Sequence, residues 1–343
     1  MNTGGKTILV TGGTGFIGRH VVRELLERGI RTRVYAPHLP PGEPASGAEF
    51  AKGDIRDPAG LRDAMQGTGG VIHAAAAVSA WSSDPSSLRD VNVAGTRNVL
   101  RAALEAGGIP VVHLSSCSAI AFRGRGVSDE ASIIPRTEHL TEYGMSKALA
   151  EAEVTLAMHE GLEAVIVYPT RVFGVGPLVD ANAATKALDL YVRGKLRFYP
   201  GGGSAHANWG YVNDIAGGVV GALLRGRPGE RYLLGGENIR LRDVFAMADE
   251  ILGIRRTSVP IPAWFGRIVS MLEEHRAALL GTPPWITRTW YDALFEDTRI
   301  SCAKAITQIG YSVTPARKAL KSVLVWLSRE AAYFPECPRR VVL

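Results

Sequence analysis

Thr7-Ile-Leu-Val-Thr-Gly-Gly-Thr-Gly-Phe-Ile-Gly18 is the stretch that decides the fold. Thr7 to Val10 is a short apolar run that stops at Thr11-Gly12, the form of a parallel strand covered on both faces. From Phe16 to Arg28 the period changes. Phe16, Ile17, Val21 and Leu25 share one side of a helix, with Arg19, Arg23 and Glu27 elsewhere and Gly29 as its stop. Between strand and helix, Gly12, Gly15 and Gly18 stand three residues apart. Glycine there permits a tight turn, lets backbone N–H groups approach a pyrophosphate, and lets the helix pack close on the strand. Glycines occur in turns everywhere. A triplet that closes a strand and opens an amphipathic helix is the context a dinucleotide-binding turn requires, with Gly12, Gly15, Phe16, Ile17, Gly18 and Arg19 around it.

The alternation continues outward. Arg31 to Ala36 is expected as a second strand, Leu61 to Gln66 as a short helix, and Gly70 to Ala75 as a strand. Val91 to Ala106 reads as a helix, Pro110 to Leu114 as a strand, Tyr143 to Glu160 as a long helix and Ala164 to Tyr168 as the strand after it. This predicts an α/β class: a doubly wound parallel sheet of the Rossmann type with a smaller, mostly helical C-terminal substrate lobe. The expected division is 1–176 for the dinucleotide-binding domain, with 208–224 returning to it. Segments 177–207 and 225–330 would form the lobe, and 331–343 a tail.

Composition removes several classes. At 343 residues, 46% hydrophobic and 21% charged, the chain is neither disordered nor fibrous. Its longest uncharged apolar run, Ile215 to Leu224, holds three glycines and is far shorter than the roughly 20 residues of a membrane-spanning helix. The first strand begins so early that no signal peptide is expected. Cys117, Cys302 and Cys337 form no CxxC pair, so the expected setting is a reducing cytoplasm. The eight His include no His-x-x-x-His pair, so no metal site is expected. The net charge of +6 comes from basic residues scattered along the chain, without a nucleic-acid-binding motif.

Two further patterns carry chemistry. Tyr143-Gly-Met-Ser-Lys147 puts a phenol and an ammonium one helical turn apart, and a nearby cation favours the phenolate. A second such pair, Tyr191 and Lys195, contains Gly194 and follows no serine-bearing strand, so it is read as structural. Val111-Val-His-Leu-Ser115-Ser116 runs a strand into small hydroxyl residues, one of which can hydrogen-bond a substrate oxygen that Tyr143 protonates. Cys117 beside them is read as a small buried residue.

Together these motifs resemble the extended short-chain dehydrogenase/reductase family, and the likeness spans essentially the whole chain. It implies Tyr143 as general acid/base, Lys147 as the residue that lowers its pKa and holds the nicotinamide ribose, and Ser116, rather than Ser115, as the group orienting the carbonyl. It further implies cofactor contacts at Asp54 and Ile55, at Ala74, Ala75 and Ala76 after His73, at Asn92, and at Pro169 and Val172. Ser79, Ser116, Arg171, His206, Asn208 and Trp209 are expected to face the substrate.

The family's NAD-specific members end strand two in an acidic residue. Here Ala36 stands there and no carboxylate occurs from Arg31 to Gly42, so NADP is slightly favoured over NAD, with Arg19 or Arg33 for a 2′-phosphate. Members that bind nucleotide sugars carry an arginine before the substrate-lobe strand. The stretch Ser204-Ala-His-Ala-Asn-Trp-Gly210 has none, although Arg171 or Arg231 stands as a replacement. The lobe also holds Trp264, Phe265, Trp285, Trp290 and Tyr291, and its end, Gly281 to Arg288 with Asp297 to Lys304 and Gly310-Tyr311, resembles 3β-hydroxysteroid dehydrogenase-like and dihydroflavonol reductase-like members. The expected activity is therefore NAD(P)-dependent interconversion of a carbonyl and a secondary alcohol on a mainly apolar small molecule. A nucleotide-sugar epimerase or dehydratase, and a cofactor-binding regulator without turnover, are the alternatives. A small-molecule substrate is the partner expected, with no nucleic acid and no membrane span, and a homodimer stays open.

Overall fold

The computed structural model describes residues 5–38, 47–78, 85–123, 126–135, 141–196, 198–200, 203–254, 259–282, 284 and 287–330. Ser79, Trp285 and the expected tail lie outside the described residues.

The first part runs β1 (Thr7–Thr11), α1 (Phe16–Glu27), β2 (Thr32–Ala36), β3 (Glu49–Lys52), α2 (Pro58–Met65), β4 (Thr68–His73) and α3 (Pro85–Arg89). It continues through α4 (Gly95–Glu105), β5 (Val111–Leu114), β6 (Ile120–Phe122), β7 (Ile133–Pro135), α5 (Glu142–His159) and β8 (Ala164–Pro169). Next come β9 (Arg171–Phe173), α6 (Ala183–Val192), β10 (Phe198–Pro200), β11 (His206–Tyr211), α7 (Val212–Arg225), β12 (Arg231–Leu234) and β13 (Glu237–Arg240). The chain then forms α8 (Leu241–Leu252), β14 (Val259–Ile261), α9 (Ala263–Leu280), α10 (Arg288–Ala293), α11 (Ala303–Ile309) and α12 (Ala316–Glu330).

Seven strands form one parallel sheet in the order β12-β8-β5-β4-β1-β2-β3. Helices cover both faces, which is why β4 and β8 are buried along their whole length. Strand order reverses between β1 and β4, and such a reversal opens a crevice at the strands' carboxyl ends. No helix among the described residues is long and apolar enough to cross a membrane.

A smaller sheet joins β9, β11 and β13, with β13 antiparallel to β11. It heads a second core containing Leu188, Tyr191, Trp209, Phe245 and Leu324. Tyr191 stacks on Phe245 with ring centroids 4.2 Å apart and donates to Asp249 at 2.7 Å, as its structural reading expects.

The expected lobe boundary needs correction. Segment 225–330 is not all lobe, because β12 pairs with β8 in the main sheet, and Ile300, Cys302, Ala305, Ile309 and Tyr311 belong to the main core. Conversely, Asn208 to Tyr211 lie in the small sheet, and only α7 packs into the main core. Four residues of β12 after a Pro-Gly turn are enough to add a sheet edge but too few to show a period.

Candidate active site

The glycine turn is shaped by contacts a side chain would destroy. Gly12 has φ 69°, and a Cβ there would come 2.5 Å from the Ala75 Cα. A Cβ on Gly18 would run into the Gly12 carbonyl oxygen. Gly15 caps α1 in extended conformation with no side-chain hydrogen bond, so the helix opens with backbone alone. The cradle fits the pyrophosphate of a dinucleotide.

A buried polar clamp fixes the strand ends beside it. The two ring nitrogens of His73 meet Thr11 Oγ1 at 2.7 Å and Thr96 Oγ1 at 2.9 Å. Thr96 gives its own proton to the Asn92 carbonyl, so His73 carries its proton on Nε2 and accepts from Thr11. Burial drives the His73 pKa down to about 3, keeping the ring neutral. Asn92 is buried in a wide turn, Asp90–Ala94, that leads into α4. Its amide accepts from Ala77 N–H at 2.7 Å and donates to Ala77 O at 3.0 Å and Ser146 Oγ at 2.8 Å, tying the segment after β4 to α5.

The other cofactor candidates separate. Phe16, Ile17, Ala74, Ala76, Pro169 and Val172 line one cavity with Gly15, Gly18 and Lys147. Ile55 is buried, where a Cβ on Gly95 would strike it, and Asp54 turns its carboxylate to Arg56 at 2.7 Å. Arg19 bonds the Thr14 carbonyl at 3.1 Å at the mouth of the turn. Arg33 is spent elsewhere: it pairs with Glu49 at 2.9 Å and donates to Ala64 O at 2.6 Å and Gln66 O at 2.9 Å. That corrects its expected role toward a 2′-phosphate.

The reactive groups converge from β5 and α5. The Thr141 hydroxyl caps α5 by accepting the Gly144 N–H at 2.9 Å, which sets Tyr143 in the first turn and Lys147 in the next. Ser116 caps a short turn after β5, its hydroxyl accepting the Ser118 N–H at 3.2 Å and meeting the Ser118 hydroxyl at 2.8 Å, and it lines the same cavity as Tyr143. Burial pushes Tyr143 up to about 12, and the Ser116 hydroxyl opposes this. The phenol is therefore held protonated, rather than drawn toward phenolate by Lys147 as expected. Lys147 is buried, donates to the Leu114 carbonyl at 2.5 Å, and is lowered to about 8, chiefly by burial. Ser115 turns the other way and donates to Glu151, whose second oxygen accepts from Tyr168 at 2.8 Å. The sequence reading missed Glu151, although it follows Lys147 by one turn. Burial raises the Cys117 thiol far out of the reactive range, as befits a small buried residue.

Above these groups opens a cavity of about 1560 Å³ that reaches from the glycine turn to Phe265, Tyr291 and Leu294 in the lobe. Arg171 and Trp209 line it. Asn208 also borders it, but its amide is saturated by Thr170, both backbone groups of Gly236, and Asn238, so it clamps loops instead of binding substrate. His206 lies off the lining, 3.5 Å from Asp297. Arg231, on β12, is also off the lining, and its charge acts on Glu151. Trp264 points outward, 64% exposed. Among the described residues there is no cluster of three metal-ligating side chains.

A doubly wound sheet with a glycine cradle at its switch point and a hydroxyl, phenol and ammonium beside it defines a dinucleotide-dependent enzyme of the Rossmann class. The chain belongs to the NAD dependent epimerase/dehydratase family, whose model matches residues 8–235. It is 32% identical over 324 residues to a Synechocystis protein named as a dihydroflavonol 4-reductase, covering 92% of this chain and 93% of that one. It is 30% identical to sterol demethylase protein B of Methylococcus capsulatus, covering 93% and 98%. The crystal structure of gox2253 superposes with a TM-score of 0.78 at 34% identity, covering 94% and 98%.

Proposed function

We propose that the enzyme interconverts a carbonyl and a secondary alcohol on a mainly apolar small molecule, using NAD(P). The observation that carries this reading is the single cavity in which the Ser116–Tyr143 pair and the glycine cradle meet a wall of Ile120, Phe122, Ile134, Phe265 and Leu294. Relatives named for dihydroflavonol and sterol chemistry support an apolar substrate.

A nicotinamide cofactor held at the Gly12–Gly18 turn would supply the hydride in the reducing direction. Ser116 holds the carbonyl oxygen by a hydrogen bond. Tyr143, kept protonated by burial, gives that oxygen its proton as charge develops. Lys147 stands one turn away on α5 and, below a pKa of about 8, adds a positive charge to the site. The half-enclosed apolar wall keeps competing water off the reacting atoms. The Asn92 and His73 clamps hold β4 and α5 in register, so these groups are placed before substrate arrives.

NADP is the cofactor we favour. β2 ends at Ala36 with no acidic residue to grip a ribose 2′-hydroxyl, and Arg19 stands at the turn, while Arg33 does not contribute. Fluorescence titration tests this, with tighter binding of NADPH than NADH expected and the reverse order contradicting it. The activity is tested by thermal shift and NAD(P)H absorbance with apolar ketones against UDP-sugars. Stabilisation and turnover by ketones are expected, and a response to UDP-sugars alone would contradict the reading.

A further inference from the structure

We infer that Arg171 is a recognition site for a carboxylate on the substrate, so that the molecule handled here is an apolar hydroxy or keto acid. The inference rests on the oxidoreductase reading and names its substrate class. The arrangement begins in strand register: β9 runs parallel to β11 with Arg171 opposite Trp209. The indole is fixed, because its N–H donates to the Ile239 carbonyl at 3.1 Å and Phe173 meets it edge-on with centroids 6.2 Å apart. On this platform lies the Arg171 guanidinium, its Cζ 5.3 Å from the ring centroid. An aromatic face holds a guanidinium flat and leaves its N–H edge for a planar acceptor. Both residues line the cavity that holds Ser116 and Tyr143.

Among the described residues nothing neutralises this cation at ion-pair distance. Among the described residues no carboxylate ion-pairs with Arg171 and no acceptor takes its N–H groups; Glu296 acts on it only through its field. Asp297, on the same cavity lining, pairs with Arg299 at 2.8 Å. Arg171 is half-buried in the cavity wall, so its guanidinium has given up part of its hydration, and an anion arriving in the cavity restores what was lost. A carboxylate offers two in-plane oxygens to one guanidinium edge.

The test is calorimetric titration of the full chain, holding NADP⁺, with 3-hydroxytetradecanoate and with its methyl ester, repeated on Arg171→Met and Arg171→Lys. The acid should bind the wild type about tenfold tighter than the ester or better. Arg171→Met should erase most of that preference by weakening the acid far more than the ester, and Arg171→Lys should keep part of it. Equal binding of acid and ester by the wild type overturns the proposal without any variant. So does binding of neither, a preference that survives Arg171→Met, or Arg171-dependent binding of UDP-glucose tighter than that of the acid. Turnover is read separately. Acid-selective binding through Arg171 with no NADPH formed supports the carboxylate site and removes the oxidoreductase reading. Equal binding with oxidation of both probes removes the carboxylate site and keeps the oxidoreductase.

Discussion

The ammonium of Lys147 is tied to the carbonyl oxygen of Leu114, 2.5 Å away, so the cation of the site is anchored to the strand that delivers Ser115 and Ser116. Burial brings its pKa from the usual lysine range down to about 8, with Glu151 opposing the fall. Lys147 is thus cationic below about 8 and neutral above it, while Tyr143 stays protonated throughout that interval. Reduction that uses the cation should be full at lower pH and decline as pH rises through about 8. The check is kcat/KM for reduction against pH at saturating cofactor; a flat profile to a pH of about 10 contradicts the assignment.

The turn before α1 leaves no space at Gly18. Gly18→Ala drives a methyl group into the Gly12 carbonyl and forces α1 away from β1. We expect a stability loss of about 1–3 kcal/mol by urea denaturation, together with weakened cofactor binding. At Gly15 the nearest obstacle to a Cβ is the same carbonyl at 3.1 Å, so Gly15→Ala should be the milder variant. The opposite order would show that the turn is not the close contact described.

Glu151 accepts hydroxyl protons from both Ser115 and Tyr168 while buried. Glu151→Ala strands two donors and should cost about 1–3 kcal/mol for each. Glu151→Gln keeps an acceptor and lets one hydroxyl turn, so its loss should be smaller. Equal losses in the two variants, read from denaturation midpoints, would show that the carboxylate is not the acceptor these bonds make it.

What could be read in the sequence follows from how local each signal is. The β1 turn and the spacing of Tyr143 and Lys147 on α5 are local, and both stand where expected. β3 has only four residues and an exposed edge, with no apolar run to mark it. The pairing of Arg171 with Trp209 depends on the register of β9 with β11, 38 residues apart in sequence, which no periodicity reports. Asn208 misled because an asparagine in a candidate pocket looks like a ligand donor; only the loops around Gly236 reveal that all its bonds are taken. Glu151 lies at helical spacing from Lys147, but nothing in a sequence distinguishes a buried carboxylate from a solvated one.

The central claim is that Tyr143 carries the transferred proton, and Tyr143→Phe tests it most directly because the ring and its packing remain. Cofactor binding by fluorescence titration should be preserved while kcat for an apolar ketone falls about 10²–10⁴-fold. Tyr191→Phe, which removes the phenol's bond to Asp249 in the lobe core, should keep its turnover and lose about 0.5–1.5 kcal/mol of stability. Full turnover in Tyr143→Phe, with the loss appearing in Tyr191→Phe instead, would contradict the account.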